Sequence, residues 1–159
     1  MFPEMRRFKQ QVSESDCQKI LTEEKRAAFS VIDHDGYPYT IPINFYYDEN
    51  DHRIYLHSAK AGHKMDALKN CDKVCLTTWN QGFKKDGDWE WNATSVVVFG
   101  KIKFVEDQKL ISDRLRKMAS KYYPNQAEVE AGMTSPAFNH VQMLAIEIEH
   151  MTGKLVNEK

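Results

Sequence analysis

The chain has 159 residues, 22 Lys and Arg against 23 Asp and Glu, and a formal net charge of −1. That is one domain's length, and the balanced charge argues against a nucleic-acid or membrane partner. No apolar run approaches the ~20 residues of a membrane helix. The opening segment, residues 1–8, lacks a signal peptide's apolar core, so a cytoplasmic protein is expected. Cys17, Cys71 and Cys75 form no Cys-x-x-Cys pair and read as reduced thiols, not as disulfides or a zinc site.

The first predicted element is a short surface helix. Ser13 caps it, Asp16 completes an approximate capping box, and Cys17, Ile20 and Leu21 are its apolar positions. A strand from Ala27 leads to Asp35-Gly36, a tight hairpin turn, and a returning strand runs from Tyr37 to Tyr47. In that strand Tyr39, Ile41, Ile43 and Phe45 share one face, and Thr40, Pro42, Asn44 and Tyr46 the other. A third strand, Arg53 to His57, precedes a helix from about Ala61 to Asn70 with Ala61, Met65 and Leu68 on its core side.

Lys73 to Trp79 is the fourth strand, and residues 80–92 read as a charged loop rich in aromatics. Ala93 to Val105 is the longest strand, with Val96, Val98, Ile102 and Phe104 inward. Asp107 to Tyr122 is the best helix, carrying the stripe Ile111, Leu115, Met118 and Tyr122. After Pro124 a weak helical stretch reaches His140, and Val141 to His150 is a last strand with Leu144, Ile146 and Ile148 inward. About six mostly antiparallel strands with two or three helices, in one domain over residues 1–159, fit a small closed or partly open β-barrel with peripheral helices.

The helix after the third strand starts against the usual rule. Lys60, His63 and Lys64 crowd its mouth, and the first carboxylate, Asp66, comes later. Backbone N–H groups, Ser58 and Gly62 complete a candidate phosphate site; a solvated basic helix end is the alternative. Pro42 gives up a ladder donor in mid-strand, which suits an edge or a strand with a ligand lying against it.

Five motifs occur in order: Met5-Arg6-Arg7; Asp35-Gly36-Tyr37-Pro38-Tyr39 with Ile41-Pro42-Ile43-Asn44-Phe45; Ile54-Tyr55-Leu56-His57-Ser58-Ala59 with Gly62-His63-Lys64; Ser95 to Gly100; and Thr152-Gly153-Lys154. Together they resemble the nitroimidazole-resistance (Nim) proteins, a branch of the pyridoxamine 5′-phosphate oxidase-like flavin-binding superfamily. The resemblance implies a mainly β split barrel that binds FMN non-covalently at a homodimer interface. It also implies that His63 and Lys64 hold the phosphate, although the family more often carries Lys or Arg where His63 stands. Thr40, Pro42, Ile43 and Asn44 would lie along the flavin ring. His57, Ser58 and Ala59 would approach the ribityl chain or ring edge, with Ser95 and Lys154 as further contacts.

His57 would then border the substrate face and donate a proton; read alone, it is a surface or capping residue. His34, His52, His57 and His63 fit no zinc spacing, so no metal is expected. Trp79, Phe83, Trp89 and Trp91 suit either a dimer interface or a cover over the flavin. Lys154 is read either as a flavin contact or as an ordinary C-terminal lysine.

The implied activity is FMN-dependent reduction of a small electrophile such as a nitroaromatic. No Gly-x-Gly-x-x-Gly is present, so electrons come from an external donor. The arginine-rich ending of pyridoxamine 5′-phosphate oxidase itself is missing from residues 154–159. The alternatives are a non-enzymatic flavin-binding or sensor module, or a haem or deazaflavin binder on the same barrel.

Overall fold

A computed structural model describes residues 2–157, so Glu158 and Lys159 of the terminal segment lie outside the described residues. Helix α1 (Glu14–Glu23) begins at the expected cap. Ser13 Oγ accepts from Asp16 N at 3.1 Å, and the Asp16 carboxylate accepts from Ser13 N at 3.2 Å. Its buried face is Cys17, Ile20 and Leu21. Strands β1 (Ala27–Ile32) and β2 (Pro38–Ile43) form the hairpin, turned at Gly36 with φ +82°.

The predicted strand from Tyr37 to Tyr47 is two strands. It breaks at Asn44–Phe45, and β3 (Tyr46–Asp48) pairs with β4 (Arg53–Ala59) instead of with β1. Helix α2 (His63–Asn70) crosses over to β5 (Lys73–Trp79). A two-residue β6 (Phe83–Lys84) and the long β7 (Trp91–Val105) follow. Then come α3 (Gln108–Tyr122), α4 (Gln126–Met133) and β8 (Val141–Asn157).

The sheet runs β2-β1-β5-β7-β8-β4-β3, with β6 beside β7, and every pairing is antiparallel. Its two edges are β2 and β3, which are consecutive in the chain. The sheet therefore curls until its ends are joined by Asn44–Phe45, yet no ladder closes them. This is an α+β split barrel of eight strands and four α-helices among the described residues.

Phe29, Phe45, Ile54, Leu56, Leu76, Val98 and Ile146 fill the interior. A second cluster, Tyr55, Leu115, Met118, Met143 and Ala145, seats α3 on the other face of β4 and β8. Gly153 lets α1 approach β8, because a Cβ there would run into Cys17 Sγ and Val12.

Other expectations shift with the fold. The last strand does not stop at His150 but runs on along β7 to Asn157, so Lys154 lies within a ladder and not after it. The aromatic loop contains β6, and β7 starts two residues early at Trp91. Phe104 is exposed because β7 leaves the core at that end, and Ala61 is exposed because α2 begins only at His63.

Candidate functional site

The register places five residues in one row across the outer face of the sheet. Ser95 pairs with Trp79 on one side and with Lys154 on the other. Continuing the β1–β2 ladder by one residue and the β1–β5 ladder by two sets Arg26 opposite both Asn44 and Trp79. The row thus reads Asn44, Arg26, Trp79, Ser95, Lys154. The Arg26 guanidinium donates to Asn44 Oδ1, and Thr78 Oγ1 donates to Arg26 O at 2.7 Å, which fixes this end. Thr40 and Pro42 occupy the two parallel rows beside it.

Two shallow clefts open along this face where the barrel is split. One, of about 460 Å³, includes Arg26, Thr40, Pro42 and Trp79 in its lining. The other, of about 350 Å³, is lined by Arg26, Pro42, Ile43, Asn44 and His57. Pro42, Ile43, Asn44 and His57 are therefore brought together at the split, on strands that pair with different partners, while Thr40 lines the neighbouring cleft.

Ser95 and Lys154 share the face but not the clefts. Three and four strand spacings separate them from Asn44, roughly 14 and 19 Å. Alternation sets His57 and Ser58 on opposite faces of β4, with His57 on the α3 side. His57 Nδ1 lies 3.1 Å from Met118 Sδ. Desolvation among these neighbours, helped by the Lys64 ammonium, pushes the imidazole pKa below its ordinary value.

The basic mouth has an inner lysine and an outer histidine. Lys64 is half-buried, burial pulls its pKa down, and it has no carboxylate at ion-pair distance among the described residues. His63 Nε2 instead meets Asp33 Oδ2 at 3.0 Å, and its ring stacks on Tyr39 with centroids 4.2 Å apart. Gly62, φ +123°, caps α2 without a side chain, so that helix end has no internal acceptor. Ala59 and Ser58 lead into this mouth from β4. Asp33, His34 and Asp35 converge at the nearby hairpin turn, where Asp33 also accepts from Asp35 N.

The split is held open by α3. Tyr122 Oη accepts from Phe45 N at 2.9 Å and donates to Lys25 O at 2.7 Å. Lys121 Nζ donates to Leu21 O at 3.1 Å and to Phe45 O at 3.2 Å, and burial pushes its pKa down to about 8. Phe45 is thus clamped through its backbone, which sets where Asn44 projects.

Arg26, Met118 and Tyr122 were not among the residues singled out in the sequence. Arg26 enters only through a cross-strand register, and Met118 and Tyr122 were read simply as a core stripe. The exposed aromatics are confirmed as a surface feature: Trp79, Phe83, Trp89 and Trp91 are 56%, 52%, 91% and 49% exposed.

Comparison with known proteins agrees with the fold. The profile of the family described as pyridoxamine 5′-phosphate oxidase matches residues 13–155. A protein from Bacteroides thetaiotaomicron, provisionally described as a 5-nitroimidazole antibiotic resistance protein, is 25% identical; 92% of this chain and 87% of that one superpose, with TM-score 0.77. An FAD-binding protein from Mesorhizobium loti is 21% identical over 92% and 96% of the two chains, TM-score 0.69. A flavocytochrome from Azotobacter vinelandii is 20% identical over 96% and 72%, TM-score 0.75. No curated protein sequence matches. No helix among the described residues is long and apolar enough to cross a membrane. The chain belongs to the pyridoxamine 5′-phosphate oxidase family.

Proposed function

We propose that this chain is a single-domain, FMN-binding oxidoreductase that reduces a small electrophile such as a nitroaromatic, acting as a homodimer with flavin at the subunit interface. One observation carries the reading: a half-buried Lys64 ammonium at a helix N-terminus with no carboxylate partner among the described residues. A desolvated cation without a counter-charge favours an anion, and a flavin phosphate supplies one. The residues fit the rest of that cofactor. Pro42 sits on edge strand β2, where the missing N–H costs no ladder bond, and Thr40 and Asn44 flank it with hydrogen-bonding groups.

When bound, FMN supplies the electron transfer. The chain's residues do the rest. Lys64 anchors the phosphate, and His63 joins it after exchanging its Asp33 contact. Ser58 and Ala59 lead the ribityl chain toward the split, while Thr40, Ile43 and Asn44 orient the ring. His57, with Nδ1 turned to the Met118 thioether, keeps Nε2 to carry a proton to reduced substrate. Ser95 and Lys154 stand too far along the sheet to reach a ring held at Asn44 in the same subunit. The partner subunit supplies them, and the exposed tryptophans lie at its rim. An external donor provides the electrons.

The test is optical. Protein purified from a heterologous host should be yellow and release FMN on denaturation, which also separates it from a haem or deazaflavin binder. Anaerobic reduction followed by reoxidation with a nitroimidazole separates an enzyme from a flavin-binding or sensor module. Colourless protein that takes up no FMN contradicts the reading, and reduced flavin that reoxidises only with oxygen contradicts the reductase part.

A further inference from the structure

A third cleft, of about 670 Å³, opens between α3 and the split and shares Arg26, Asn44 and His57 with the smaller of the other two. Met118 and Tyr122 of α3 form one wall, Asn44 and His57 the floor, and Lys25 and Arg26 the opposite rim. No carboxylate lines it. Arg26 and Lys25 make no ion pair with any Asp or Glu among the described residues. The Arg26 guanidinium lies 5.8 Å from the Tyr122 ring centroid. Its Nη1 is spent on Asn44 Oδ1 and Lys25 O, which leaves Nη2 and Nε as the donors for a forked anion.

The walls are as informative as the rim. The Tyr122 hydroxyl is committed to Lys25 O and to both backbone groups of Phe45, so its ring is fixed in place. Met118 Sδ is turned to His57, leaving a polarizable apolar surface beside it. A flat apolar wall facing two unpaired cations selects a planar ring that carries a negative charge.

We infer that this cleft binds aromatic carboxylates, with the ring against Met118 and Tyr122 and the carboxylate on Arg26 and Lys25. The binding site stands without any flavin. Where the proposed function holds, and resting on it, the site makes the substrate an anionic aromatic electrophile placed beside His57.

The test is calorimetric titration of the purified full chain with three probes of one ring: 4-nitrobenzoate, 4-nitrobenzyl alcohol and 4-nitrobenzylammonium. The carboxylate should bind at least ~10-fold tighter than the alcohol, about one charge-assisted contact, and the ammonium least tightly. Arg26→Gln should erase that preference and Lys25→Gln, an exposed position, should reduce it several-fold. Lys69→Gln, at the far end of α2, should leave it unchanged.

The FMN-to-riboflavin affinity ratio, measured on the same variants, distinguishes the other source of anion. Arg26→Gln should preserve the ratio. If it abolishes the ratio, the guanidinium serves the cofactor phosphate and the inference fails. The inference also fails if the three probes bind within twofold of one another, or if both rim variants keep the preference. Carboxylate selectivity in a chain that binds no flavin sustains this site and contradicts only the reductase reading.

Discussion

Two regions of this barrel treat charge in opposite ways. Where α3 meets β3 and β4, the charges are matched. Asp48 is fully buried, accepts from Asn50 N and Nδ2, and faces Arg114 Nε at 3.0 Å and Lys117 Nζ at 3.5 Å. Burial pushes its pKa up, but Asn50 and then Arg114 outweigh it, so the carboxyl lies below its usual range. Arg114 also reaches Asp51 at 2.9 Å, and Asp113. At the α2 mouth and the split, Lys64, Arg26 and Lys25 have no carboxylate among the described residues. A matched buried charge is costly to strip of its partner, whereas an unmatched one stays available to a ligand.

The largest expected effect lies on the matched side. Arg114→Ala leaves Asp48 buried without its main counter-ion and should destabilise the chain by about 3–5 kcal/mol in denaturant unfolding. Lys64→Ala, by contrast, removes a desolvated and unpaired ammonium. Unliganded protein should lose less than ~1 kcal/mol, or gain slightly. Equal losses in the two variants would erase the distinction between the regions.

Lys121 sharpens the comparison, because two backbone carbonyls hold it in place of a carboxylate. Its folded pKa, about 8, lies below the ordinary 10.5. Between those values the unfolded chain binds more protons, so stability rises with pH across that window. The difference between wild type and Lys121→Met in unfolding free energy should change between pH 8 and 10.5, and a flat difference contradicts it. His57 behaves alike at lower pH. Its depressed pKa means that stability is lost as pH falls through the ordinary value of 6.5, and His57→Gln should blunt that loss. The smallest effect belongs to Arg116 and Glu130, whose side chains are 44% and 48% exposed. Arg116→Gln should leave the denaturant midpoint of unfolding where the wild type has it.

Local signals were legible in the sequence wherever they carried their own chemistry. Ser13 with Asp16 marked a helix start, Asp35-Gly36 marked a hairpin, and Lys73 to Trp79 alternated as a strand that the structure reproduces at both ends. The break at Asn44–Phe45 was not legible, because the alternation continues unbroken from Ile43 to Tyr47. What parts the strands there is barrel closure and a clamp from Tyr122, 77 residues away. For the same reason Arg26 escaped notice: its neighbours Asn44, Trp79 and Tyr122 assemble only through register and helix packing. The basic mouth was visible as an excess of charge. That Asp33 engages His63 was not, since the hairpin turn and α2 are 30 residues apart.

The central claim is that Lys64 remains unpaired because it serves a flavin phosphate. The most direct measurement compares FMN with riboflavin, which differ only in that group, on wild type and on Lys64→Ala. Wild type should prefer FMN by roughly 10–100-fold, as one or two charge-assisted contacts imply. The variant should lose most of that preference, keeping only the share that His63 and the N–H groups of α2 supply. An undiminished preference for FMN in Lys64→Ala would place the phosphate elsewhere and contradict the account.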